Sequence, residues 1–140
     1  MSNIVAGPTT KELNALNSIT TESSTVELRL GNETGTVVAT GTATHKYCGP
    51  HHWVNIMFSN CNNVNVNDTA IITGTNYLPS NIIFVPVGIR MSGSQYFMLY
   101  GQRSGVTIIL RSGSVDKPLN PIWTFSSANT GINISYSWIA

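Results

Sequence analysis

From Thr25 to the C-terminus the chain alternates between apolar and polar side chains, and β-branched and aromatic residues take most of the apolar positions. A period of two marks a strand with one buried face, because successive side chains leave a strand on opposite sides. In TVVATGTATHKY, Val37, Ala39, Ala43 and Tyr47 share one face, while Thr40, Thr42, Thr44 and Lys46 share the other. In WVNIMFSN the inward set is Val54, Ile56 and Phe58, which leaves Trp53, Asn55, Met57 and Ser59 outside. Two large apolar side chains, Trp53 and Met57, therefore point away from the core. The last segment sets Ile132, Ile134, Tyr136 and Trp138 against Asn133, Ser135 and Ser137. Trp138 is accordingly expected in the core, and Trp123 with it.

The segments are separated by short loops such as NYLPSN, MSGSQ, GQRSG and SVDKPLNP. Their Gly, Ser, Asn and Pro supply the backbone conformations of antiparallel connections. Pro86 interrupts its run and is expected to mark an edge, a bulge or a strand that changes sheet. Many short strands without an intervening helical period point to a sandwich or a small barrel. The expectation carried forward is all-β, an antiparallel β-sandwich or jelly-roll-like domain over residues 23–140.

Residues 1–22 read differently. Thr9 stands three residues before Glu12, the capping-box spacing in which each side chain satisfies an amide of the other residue. Leu13, Leu16 and Ile19 then share a helical face. About ten residues is shorter than the ~12–15 an isolated helix needs in water. This short N-terminal helix must pack on something, either its own domain or its copies in a trimer stalk.

Composition narrows the partners. The 140 residues are 41% hydrophobic and only 9% charged, with a net charge of +1. One modest core is affordable, and there is no electrostatic footprint for nucleic acid or an anionic membrane. Asn, Ser, Thr and Gly occupy the surface, which suits neutral ligands or packing against copies of the chain. The start has neither a basic n-region nor the apolar run of a signal peptide, and nothing approaches the ~20 apolar residues of a spanning helix. The expectation is a soluble protein made in a cytoplasm, with both cysteines reduced. Sequons at Asn32, Asn67 and Asn133 carry little meaning without a secretory route.

All three histidines and both cysteines fall within His45 to Cys61. A zinc site is disfavoured by geometry. A strand from Trp53 to Asn60 rises ~3.3 Å per residue and holds Cys48 and Cys61 roughly 25 Å apart, beyond the ~7 Å between Cα atoms of a disulfide. His51 and His52 are adjacent and point to opposite sides if extended. The stretch reads as a hairpin with Cys48-Gly49-Pro50-His51 at its tip; in a symmetric oligomer one histidine per chain could still meet its copies on an axis. No metal or cofactor is expected.

Catalysis finds no better footing. Glu12, Glu22, Glu27, Glu33, Asp68 and Asp116 are scattered, without a spacing that pairs an acid with a base. There is no G-x-S-x-G elbow and no Gly-rich loop opening a helix. What remains is recognition by side chains on an uncharged β surface. Trp53, His51 and His52 at the tip, and Tyr100 and Arg103, with Tyr77 and Tyr96, near loops, can stack on sugar rings and hydrogen-bond hydroxyls. For Trp53 and Met57, packing against a second copy is the favoured alternative.

The order of segments also carries a resemblance. It lies in a strand ending at Tyr47 with Gly49 in the turn, Val54-x-Ile56, Ile72-Thr73-Gly74 before Leu78-Pro79, Tyr100-Gly101, Val106-Thr107-Ile108-x-Leu110, and Gly131-Ile132-x-Ile134-Ser135-x-Ser137 at the end. From Thr36 onward this resembles the C-terminal β (head) domain of bacteriophage tail fibres and receptor-binding proteins. Cys48, Pro50, His51 and His52 make the turn bulkier than the small residues usual there. The resemblance implies a homotrimeric, non-enzymatic virion adhesin, assembled in the host cytoplasm, that binds a host-surface saccharide and other virion proteins. The chain is short for a whole fibre, so the expectation is a distal head or a small accessory protein. The alternative it leaves is a structural capsid-decoration or head-fibre protein; a bacterial lectin-like module is third.

Overall fold

The structure, a computed structural model, describes residues 18–59, 61, 64–66, 69–92, 95–111, 123–125 and 131–140, with backbone only at 64–66, 91–92, 95–97 and 123–125. The ten strands are β1 (Thr20–Leu30), β2 (Thr36–Cys48), β3 (His51–Phe58), β4 (Val64–Val66), β5 (Ala70–Thr73), β6 (Phe84–Ser92), β7 (Gln95–Ser104), β8 (Thr107–Arg111), β9 (Trp123–Phe125) and β10 (Gly131–Ile139). Eight of them close into a barrel in the order β1-β2-β3-β10-β6-β7-β8-β5, and β4 pairs separately with β9.

This corrects the sandwich or jelly-roll expectation. A strand with one buried face has the same alternating pattern whether its sheet stays open or closes. Closure is decided by two strands with partners on both sides. β10 pairs with β3 and β6, and β5 pairs with β1 and β8. No helix occurs among the described residues; the one expected from Thr9 lies almost wholly outside them, and β1 already begins at Thr20. The side chains of Tyr96, Trp123, Asp68 and Asp116 also lie outside the described set.

The barrel is built from two Greek keys. In each, three hairpin-linked strands are followed by a strand that returns beside the first: β5-β1-β2-β3 and β10-β6-β7-β8. The equivalent hairpin tips, Cys48-Gly49-Pro50-His51 and Ser104-Gly105-Val106-Thr107, lie at the same end and share only their glycine. Gly49 and Gly105 have φ of 57° and 62°. Glycine enters this region without the steric cost a side chain brings, and with Pro50 fixed near −65° the first tip is a type II′ turn, whose twist matches the strands.

An eight-stranded barrel is just wide enough for its inward side chains to fill it. Val26, Leu28, Ala43, Val54, Ile56, Phe58, Ile72, Val85, Val87, Ile89, Ile108, Leu110, Ile132 and Ile134 do so. The inward sets expected for β3 and β10 are the ones found: Val54, Ile56 and Phe58 are buried, Ile132 and Ile134 are buried, and Tyr136 and Trp138 pack on the core. Pro86 pairs with Tyr100 of β7, and the β6–β10 ladder stops at Val87, the residue beside it. Beyond that point β10 continues on β3 alone, and the end of the barrel carrying the hairpin tips is crossed by residues 74–83, which run from β5 to β6.

Cys48 and Cys61, near opposite ends of β3, are not joined in a disulfide. Burial pushes the Cys61 thiol up to about 11, which keeps it in the unreactive protonated form. Iodoacetamide at pH 8 is expected to alkylate Cys48 in the folded protein and Cys61 only in denaturant, as read by mass spectrometry of the two peptides.

Candidate functional site

The rungs of β2, β3 and β10 nearest the hairpin tip carry polar and aromatic side chains on both faces of the barrel wall. On the outer face, Lys46 pairs with Trp53, Trp53 with Ser137, Thr44 with Asn55 and Asn55 with Ser135. Together these six residues line a groove of about 370 Å³. Trp53 and Met57 are each 45% exposed, so both outward placements read from the sequence hold. Asn55 is fixed from β10: its amide nitrogen donates to Asn133 Oδ1 at 2.7 Å and to Ser135 Oγ at 3.0 Å. The groove is thus an indole plane beside hydroxyls, an amide and one ammonium.

Lower on the same outer face, Met57 and Met98 wall a second groove of about 330 Å³ with Gly88, Gly131 and Asn133 between them. It is mainly apolar. Phe84 and Tyr100 meet edge to face at 5.8 Å on the outside of β6 and β7.

The inner face of the tip end holds a different cluster. His45 Nε2 and His52 Nδ1 lie 2.8 Å apart, so one nitrogen donates and the other accepts. Trp138 stacks on His52 at 4.8 Å and 9°, and on His45 at 5.5 Å and 15°. Tyr47 stacks on His52 at 5.3 Å, and Tyr77, from the crossover, tilts onto His45 at 4.4 Å. Glu22 Oε2 lies 3.8 Å from His45 Nδ1, and Tyr47 Oη donates to Glu22 Oε1 at 3.5 Å. Burial, then the neighbouring His52, push His45 below the ordinary imidazole value of 6.5, against a smaller upward pull from Glu22. Burial also raises the Tyr136 phenol, which donates to the Tyr77 carbonyl.

The residues singled out in the sequence are therefore divided among several places. Trp53 and His51 alternate onto the outer face, and His52 turns inward. Tyr100 lies outside, three strands from β3 around the wall, or roughly 14 Å at ~4.8 Å per strand. Arg103 follows the buried Gly101 on the inner side of β7, with its Nε buried. One sugar ring cannot touch all five. His45, which belongs only to the disfavoured zinc set, is not among the five, although Ala43 and Tyr47, two residues to either side, already place its face inward. Nothing in the chain signals that Trp138 and Tyr77 would cover it.

No group of three His, Cys, Asp or Glu side chains suited to a metal occurs among the described residues. The two imidazoles spend their facing nitrogens on each other, and Glu22 approaches the far nitrogen of His45, so the three do not converge on one point. Comparison of the chain with known protein families, with curated proteins and with solved structures finds no match.

Proposed function

We propose that the protein is a binding module without catalysis, and that its outer Trp53 groove takes a saccharide on a host-cell surface. The observation that carries this reading is the groove itself. An exposed indole gives a flat apolar surface for the C–H face of a pyranose, and Thr44, Asn55, Ser135 and Ser137 give hydrogen-bonding groups at its edge. With 9% charged residues there is little field to favour an ionic ligand. The virion setting and the homotrimer rest on the segment order that resembles phage head domains, and they form one proposal with the groove.

A glycan array with the purified chain tests it. Trp53→Ala is expected to weaken binding by on the order of 2 kcal/mol, about 30-fold, the size of a central aromatic anchor. Tyr100→Ala, roughly 14 Å away, is expected to leave affinity unchanged. Full binding by Trp53→Ala would remove the groove from the reading, and a monomer by light scattering would remove the trimeric head.

A second reading, a structural virion protein, is favoured by the outer apolar residues. Met98 is 72% exposed beside Met57, and Ile83 and Phe84 are exposed near the tip end. Surfaces of this kind pack against neighbouring subunits. This reading expects binding to capsid or tail protein and none to the host envelope.

A further inference from the structure

The inner cluster is not used by the saccharide reading, and it lies against the crossover 74–83, which has no strand ladder of its own. We propose that the His45–His52 pair is an acid-sensitive latch on the barrel mouth: it holds while at least one imidazole is neutral, and a second proton drives the rings apart and frees the crossover.

The geometry sets this rule. A nitrogen pair 2.8 Å apart needs one N–H and one lone pair, so two imidazolium rings would face N–H against N–H. The rings are nearly parallel, at 15° with centroids 5.1 Å apart, and Trp138 lies over both. His45 is 6% exposed, which leaves a second charge almost without water.

The groups facing the pair can balance one proton. β1 supplies the Glu22 carboxylate, β2 the Tyr47 phenol, the crossover the Tyr77 phenol, and β10 Trp138 with Tyr136 behind it. Across the mouth, β7 turns Arg103 inward, a further positive charge. Lys46 and His51 point outward. Among the described residues one carboxylate therefore stands against two imidazoles, and none of them supplies a counter-charge for the second imidazolium.

The direction in pH follows. His45 is held below 6.5 in the folded protein, so below that pH the unfolded or opened chain binds more protons than the closed one. Closure is at full strength above pH 6.5 and is lost as pH falls through the folded value. Tyr77 rests on His45, and the adjacent Leu78 is buried. Inside the crossover the backbone bonds are Asn76 N–H to the Gly74 carbonyl and Ile82 N–H to the Pro79 carbonyl. Single bonds tie it to the barrel, from Arg103 N–H to the Ile83 carbonyl, from the Thr75 hydroxyl to the Val106 carbonyl, from the Tyr136 hydroxyl to the Tyr77 carbonyl and from the Ser24 hydroxyl to the Gly74 carbonyl; without a ladder, such a segment opens below the cost of global unfolding.

Hydrogen exchange of the full chain, read by mass spectrometry at pH 7.5 and 5.0 and corrected for the intrinsic rate, tests the latch. Exchange in 74–83 is expected to rise about tenfold at pH 5.0 while the β1–β2 ladder changes little. An unchanged crossover, or one that changes only together with that ladder, overturns the proposal. His52→Phe keeps a ring under Trp138 and removes one proton site, so the response should vanish; its persistence also overturns the latch. Should that variant not fold, Glu22→Gln serves. Without the carboxylate that stabilises the protonated closed pair, opening should set in at higher pH and go further at pH 5.0, and an unchanged response counts against the latch.

Discussion

Phe58→Ala is expected to lower the unfolding free energy by about 3–5 kcal/mol, seen as a reduced urea midpoint. Phe58 is 0% exposed and is among the largest fully buried side chains. It pairs with Ile132 of β10 at the point where the two Greek keys are joined. Removing its ring takes away transfer free energy and leaves a cavity that the fixed barrel wall cannot collapse into. A domain of this size has only about 5–15 kcal/mol in total, so a large part of its stability would go. Met57→Ala, one residue earlier on the outer face, is expected to cost well under about 1 kcal/mol. Equal effects from the two would contradict the alternation on β3.

Gly101→Val is expected to be nearly as damaging, by about 3 kcal/mol or by preventing closure altogether. A Cβ at Gly101 would sit 2.4 Å from Ile108 Cγ2, 2.9 Å from Val85 Cγ2 and 3.4 Å from Val87 Cγ2. These neighbours belong to β8 and β6, which flank β7 in the ladder. The side chains cannot all retreat in a filled interior, so the added methyls must separate strands or force poor rotamers. Gly88→Ala on β6 is the matched comparison. A Cβ there meets only Asn133 O at 3.7 Å and Met98 Sδ at 3.9 Å, so near-neutral stability is expected. Thermal unfolding of both variants reads the difference directly.

Gly101 also shows how the two halves of the barrel differ in use. Counting back from the equivalent hairpin tips, Gly101, Arg103 and Ile108 occupy the places of His45, Tyr47 and His52. One key carries an imidazole and phenol cluster at its inner tip, and the other carries a glycine, an arginine and an isoleucine. Both carry a positive-φ glycine in the turn, because a two-residue hairpin demands it whatever the flanking chemistry.

The alternation along Trp53 to Phe58 and Ile132 to Trp138 was legible in the sequence, since side-chain direction in a strand is a local property with a period of two. So was the turn at Gly49-Pro50, and so was the outward placement of Trp53 and Met57. The sandwich expectation failed because closure depends on which strands pair. β5 and β10 meet partners far away in sequence on both sides, and alternation along one strand is silent about its neighbours.

The same division runs through the candidate sites. The sequence by itself determined that Trp53 faces outward and that His51 and His52 part to opposite faces of β3. Only the tertiary structure decided that Asn55, Ser135 and Ser137 lie beside Trp53, that His52 meets His45, and that Tyr77 and Trp138 cover the pair. Side-chain direction follows from the backbone of one strand, whereas these neighbours depend on the register between strands and on the path of a crossover. Those are settled by burying all the inward faces in one closed interior.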